Sequence, residues 1–184
     1  MHDVEQPSGE LAHGSDHVAV EYHQFVVIDP ATDERPDADV VNGLVGVTEV
    51  GAQIVCGMQM GDVGCEVSVR AEAPAAPTAL DLERWDEIVD VSIRSVSGNL
   101  YVVAVDDEAP DLPNLCGSGP GVYRLRVHAR GRDTHPSEIV DELPTDAEPA
   151  EQYLLITWRA EAGPATVHQT RDQFGKAYRD SIAG

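Results

Sequence analysis

The chain has 184 residues, of which 33 are acidic and 12 basic, giving a formal net charge of −21 and a pI near 4.4. A charge of that sign repels phosphates and excludes nucleic acid as a partner for the surface as a whole, favouring a basic protein partner instead. The length suits one domain with its own core, the three cysteines are too few for a disulfide framework, and no apolar stretch reaches the length of a membrane span.

Residues 1–16 are polar and aperiodic, with no apolar run of the signal-peptide kind, and read as a flexible N-terminal tail of a cytoplasmic protein. His13 and His17 lie four apart, but Gly14, Ser15 and Asp16 between them disfavour the helix that would aim both at a metal. Val18–Ile28 alternates apolar and polar residues and reads as the first strand, with Gln24 as the polar interruption. Asp29–Asp39 is an acidic loop with two prolines, and its Asp33, Glu34 and Asp37 are candidate contacts for a basic partner. Val40–Val50 is weakly strand-like. After it, a turn at Met60–Gly61 would pair Met58 with Val63, Cys56 with Cys65, Ile54 with Val67 and Ala52 with Val69, an apolar match at every position. Facing cysteines in such a row read as reduced core residues.

Leu80–Trp85 reads as a helical turn, with Trp85 capping one end of the core. Glu87–Val96 and Leu100–Val105 form a second expected hairpin around Gly98, followed by an acidic turn at Asp106–Asp111. The Gly/Pro-rich loop Asn114–Gly121 holds Cys116. It lacks the Lys-Ser/Thr of a phosphate loop and leads into a strand, so no nucleotide or other cofactor is expected.

The strongest periodicity lies in Val122–Arg130, where Tyr123, Leu125, Val127 and Ala129 alternate with arginines and a histidine. One face enters the core. The other carries a basic row of Arg124, Arg126, His128 and Arg130, with Arg132 just beyond, which is either an anion site or is neutralised by acidic neighbours such as Glu151. Gln152–Arg159 is apolar at nearly every position and reads as a central strand covered on both faces, anchored by Trp158. Arg171–Ile182 suits a short C-terminal helix broken at Gly175. The expected architecture is all-β: an antiparallel β-sandwich or open curved barrel of about seven or eight strands over residues 17–170, with a helix or tail in 171–184.

No G-x-S-x-G, H-E-x-x-H or C-x-x-C pattern is present, and His23, His128 and Cys116 are too scattered to define a metal or catalytic site. The run Tyr123-Arg-Leu-Arg-Val-His-Ala-Arg-Gly-Arg-Asp133, followed by Tyr153-Leu-Leu-Ile-Thr-Trp158, resembles a family of actinobacterial β-rich proteins, a likeness that brings no activity with it. Tyr22-His-Gln-Phe25 and the glycine-punctuated segment after it resemble, more loosely, the competence protein J type of nuclease inhibitors. That second resemblance implies a non-catalytic sandwich binding a basic enzyme. The expected function is a non-enzymatic acidic binding protein, of immunity or nuclease-inhibitor type. The alternative is a small-ligand or anion-binding domain, or an enzyme, working through the basic row. The acidity itself has a second source, since a single lysine beside eleven arginines is also the mark of genome-wide compositional bias.

Overall fold

The computed structural model describes residues 9–106, 109–141, 143–144 and 146–184. Ten strands are joined by hydrogen bonds: β1 (Glu10–Glu21), β2 (Gln24–Ile28), β3 (Val45–Thr48), β4 (Gly51–Val55), β5 (Met60–Arg70), β6 (Glu87–Ser95), β7 (Tyr101–Val103), β8 (Gly121–Arg130), β9 (Gln152–Arg159) and β10 (Thr166–Thr170). Helix α1 (Ala79–Arg84) precedes β6 and helix α2 (Gln173–Ile182) follows β10. The strand order is β10-β6-β8-β9-β5-β1-β2-β4-β3, with β7 also on β2. The sheet curls into a half-barrel, so that β3 and β4, at one end of that path, come within 8 Å Cα distance of β6 near the other.

Curling puts alternate residues of almost every strand onto one concave face. Val18 and Val20, Phe25 and Val27, Val63 to Val69, Val89 to Ile93, Tyr123 to Ala129, and Tyr153 with Leu155 supply its core, all almost wholly buried. The two best-defined strands behave as their patterns require: Tyr123, Leu125, Val127 and Ala129 all face inward, and β8 and β9 are antiparallel neighbours with Val127 opposite Leu155.

Several local expectations are corrected. Residues 10–16, expected in the tail, belong to β1, whose ladder with β5 runs from Glu10 opposite Arg70 to Glu21 opposite Met60. These residues alternate between exposed and half-buried, so the strand lacks a hydrophobic signature there. The single strand expected over Val18–Ile28 is two strands, because Tyr22 and His23 take φ of 54° and 63° and reverse the chain between Glu21 and Gln24. Left-handed conformation at both central positions is the signature of a type I′ turn, normally filled by Asn-Gly.

Neither expected hairpin forms. β4 pairs with β2 and β3, while β5 pairs with β1 and, in parallel, with β9, so Cys56 and Cys65 are not cross-strand partners although both are free and buried. β6 pairs with β8 and β10, and β7 pairs with β2. The chain turns a corner between them, held by Asp29. That carboxylate accepts from the Ser95 and Ser97 hydroxyls at 2.7 and 2.6 Å and from the Val96 and Ser97 amides at 2.8 and 2.9 Å. Burial pushes its pKa up, but the bonds from Ser97, Ala31 and Ser95 outweigh this and hold it well below the usual carboxylate range. Asp29 therefore belongs to the interior, not to the acidic loop after it.

Thr166–Thr170 is the edge strand β10. Helix α2 runs unbroken through Gly175, where a Cβ would lie 2.5 Å from Arg132 Nη2. The glycine is a close-approach residue there. Trp85, expected at an end of the core, lies on the convex face of the sheet with its ring 5.4 Å from that of His128.

Candidate partner-binding cleft

The basic row is closed off rather than open. Arg126 is buried and forks onto Asp90 at 2.7 and 3.1 Å, with a third donation to the Ala75 carbonyl at 2.8 Å; its guanidinium also lies 5.6 Å from the Trp158 ring. His168 meets the same Asp90 at 3.0 Å. Arg124 donates to the Ser92 hydroxyl and to the carbonyls of Gly163 and Pro164 at 2.9–3.1 Å. His128 is buried under Trp85, and desolvation lowers its pKa to about 4, so near neutrality it carries no charge. Arg130 lies over Trp85 at 5.3 Å and 3.8 Å from Glu148. Neutralisation of the row comes from Asp90 and carbonyls, not from Glu151. Glu151 points inward and accepts from the Gly57 and Met58 amides at 2.7 and 3.1 Å and from the Tyr153 hydroxyl at 2.5 Å.

Arg132 leaves the row altogether. Gly131, at φ 81°, breaks the alternation and sends the next side chain into the interior, where Arg132 is fully buried. It forks onto Asp172 at 2.7 and 3.0 Å, donates to the Gly43 and Val55 carbonyls at 2.8 and 3.1 Å, and lies 3.8 Å from Glu87. Glu87 in turn accepts from the Arg171 and Asp172 amides and from Arg179 Nη1. The network fastens α2 across the end of the half-barrel.

Desolvation, and then the charge of Asp172, raise Glu87 to about 6 from its ordinary 4.5, against the pull of Arg132 and Arg179. The folded state therefore holds a proton that the unfolded chain releases between those values. Its contribution to stability is full below 4.5 and is lost as pH rises through about 6. A carbon-detected titration should place the Glu87 midpoint near 6, and a midpoint at or below 4.5 would contradict its burial.

Beside this network lies a cleft that no sequence motif marked. Tyr22, His23, Gln53, Val55, Ser137, Phe174 and Tyr178 line a space of about 340 Å³. It adjoins one of about 540 Å³ that shares Ser137, Phe174 and Tyr178 and is walled by Asp133, Pro136, Gln173 and Ala177. Three elements build it. The β1–β2 turn is pinned by His23 N donating to the Gln59 carbonyl at 3.1 Å and by the His23 carbonyl accepting from Cys56 N at 2.7 Å. The 137–140 segment is laced to the start of β5: Ser137 N donates to Gly57, Gln59 N to Glu138 and Val140 N to Met60, each at 2.8 Å. Helix α2 presents Phe174, stacked on His23 at 5.8 Å, and Tyr178, 6.4 Å from Phe174. Its first turn is held by Asp172, accepting from Gly175 N at 2.6 Å, and by Asp133, accepting from Gln173 N and Phe174 N at 2.9 and 2.8 Å.

Among the described residues, the non-glycine positions with positive φ are Tyr22, His23 and Ser137 at 54°, 63° and 60°, and all three line this cleft. Left-handed backbone costs an ordinary residue about 1–2 kcal/mol. Tyr22 is nevertheless 69% exposed, so the strain secures no burial for its ring. Met60, opposite Glu21 in the ladder, and Ile139, bridged to Met60, continue the exposed apolar rim. Strained positions of this kind cluster at functional sites.

Asp33, Glu34 and Asp37 are exposed in the loop between β2 and β3, away from the internal ion pairs. Asp107 and Glu108, in the acidic turn at 106–111, lie outside the described residues, as do residues 1–8. His23, His128 and Cys116 are not brought together: one is in the cleft, one under Trp85 on the convex face, and one in the concave core.

No protein-family model and no curated protein sequence matches the chain. Two solved structures are similar in outline. One, described as "Crocagin biosynthetic gene J", is 17% identical, with a TM-score of 0.48 over 79% of this chain and 97% of its own. The other, ComJ from Bacillus subtilis, described as an inhibitor of the DNA-degrading activity of NucA, is 12% identical, with a TM-score of 0.49 over 80% of this chain and 96% of its own. At that distance neither carries a residue role or an activity over to this chain.

Proposed function

We propose that the chain is a non-enzymatic acidic binding protein of inhibitor type whose partner is a basic protein. One observation carries the reading: among the described residues most cations, Arg94 excepted, are engaged by the chain's own groups, while many carboxylates are exposed. Arg35, Arg124, Arg126, Arg132, Arg159, Arg171 and Arg179 donate to carbonyls, hydroxyls or carboxylates of their own chain. Arg84 and Arg130 lie over Trp85, and Lys176 pairs with Asp180 at 2.6 Å. Asp33, Glu34, Asp37, Asp39, Glu49, Glu72, Glu138 and Asp146, by contrast, are exposed. The alternative, an anion site on the basic row, finds Arg124, Arg126 and Arg132 committed to their own chain and His128 buried, which leaves Arg130 as the row's accessible guanidinium.

A surface of this kind steers a basic partner toward it, so association with that partner, isolated from the native host, should slow steeply as salt is raised while dissociation changes little. An association rate insensitive to salt, or a partner without net positive charge, would refute the proposal.

A further inference from the structure

We propose, resting on that reading, that the cleft between the β1–β2 turn, the 133–138 loop and α2 is the receptor for an arginine side chain of the basic partner. Its walls supply what a guanidinium recognises. The rings of Tyr22 and Tyr178 give faces for stacking, and Asp133 gives a carboxylate at the rim. Each Asp133 oxygen accepts one helix amide, which leaves lone pairs for a bidentate fork from outside.

Neither Lys nor Arg is among the residues lining the two spaces. The chain already makes the same kind of pairing from below, where the Arg132 guanidinium lies 5.3 Å from the centre of the Phe174 ring. Charge complementarity fixes the occupant, because an apolar side chain would gain nothing from a net charge of −21, whereas an arginine enters down that field.

The strained turn supplies the last part of the argument. A two-residue loop with both positions left-handed would be relaxed by Asn-Gly, and Tyr22-His23 occupies it instead. Replacing both residues should therefore raise the unfolding midpoint and remove one wall of the site at the same time, the pattern expected where a surface is kept for binding at the expense of stability.

The test is a heteronuclear NMR titration of the intact protein with acetyl-Gly-Arg-Gly-amide, beside its lysine and citrulline counterparts, on wild type, Tyr22→Asn/His23→Gly and Tyr178→Ala. The arginine peptide should shift Tyr22, His23, Ser137, Phe174 and Tyr178 saturably and bind more tightly than the lysine peptide, while citrulline fails to saturate. Each lost ring should weaken binding about two- to fivefold, with the turn variant at least as stable as wild type. Shifts spread without plateau over carboxylates such as Asp33, Glu34 and Asp37, equal binding of arginine and citrulline, or unchanged affinity in a folded turn variant would each overturn the assignment. A basic partner that binds wild type and turn variant alike overturns the cleft and leaves the charge reading standing. If no basic partner exists, the charge reading fails, and the peptide titration still decides what the cleft recognises.

Discussion

Arg132→Ala should lower the unfolding free energy by about 3–5 kcal/mol, the loss expected when one member of a buried ionic cluster is removed and its partners stay behind. Asp172 and Glu87 would be left as buried carboxylates, and the Gly43 and Val55 carbonyls would lose a donor. The damage should concentrate in α2, whose N-cap is Asp172 and whose Gly175 packs against the guanidinium. Denaturant unfolding measures the global loss. Amide exchange should show α2 opening before the sheet does. Removing Asp172 as well should restore part of the stability, since the deficit arises from unpaired charge more than from lost packing. A loss below about 1 kcal/mol would mean that the cluster behaves as a solvated surface pair.

Trp158→Ala and Trp85→Ala should each cost about 3–5 kcal/mol, with Trp85 costing as much as Trp158 or more. The sequence argues for the opposite order, placing Trp158 in a central strand and Trp85 at a loop edge. In the fold both rings lie on the convex face, Trp85 3% and Trp158 7% exposed, and both are covered by arginines. Trp85 additionally seals His128, and removing it would admit water to an imidazole now held neutral. Parallel denaturation of the two variants decides the order. A Trp85→Ala protein close to wild type in stability would show that the segment leading from β5 into β6 does not shield the convex face.

What the sequence disclosed were faces, and what it concealed were partners. Strict alternation in Tyr123–Ala129 correctly assigned the inward set, because burial on one side of a pleat imposes a period of two. The same logic correctly called Ile54, Val63 and Val67 inward, yet it joined β4 to β5, since a face pattern fits any register that keeps apolar residues together. Asp29 decided the corner between β6 and β7 from a position 66 residues before Ser95, beyond any local reading. The basic row is covered for two separate reasons. Gly131 turned Arg132 inward, and the chain after β5 returned over the convex face to cover Arg126 and His128. The cleft was invisible because its residues come from the β1–β2 turn, a loop and the C-terminal helix, and the signal that now identifies it is dihedral rather than compositional.

The parallel pairing of β5 with β9 governs the order in which this molecule can be made. Gly64 meets Gln152 and Arg70 meets Trp158, so each contact closes a loop of more than eighty residues. Loop closure of that span is slow, and it must precede the reward of the contacts it enables. Until β9 has been synthesised, β5 presents an eleven-residue strand with one edge unpaired, carrying Val63, Val67 and Val69 beside it. The nascent chain thus passes through a long interval with an adhesive edge. In that interval a net charge of −21 opposes association between copies.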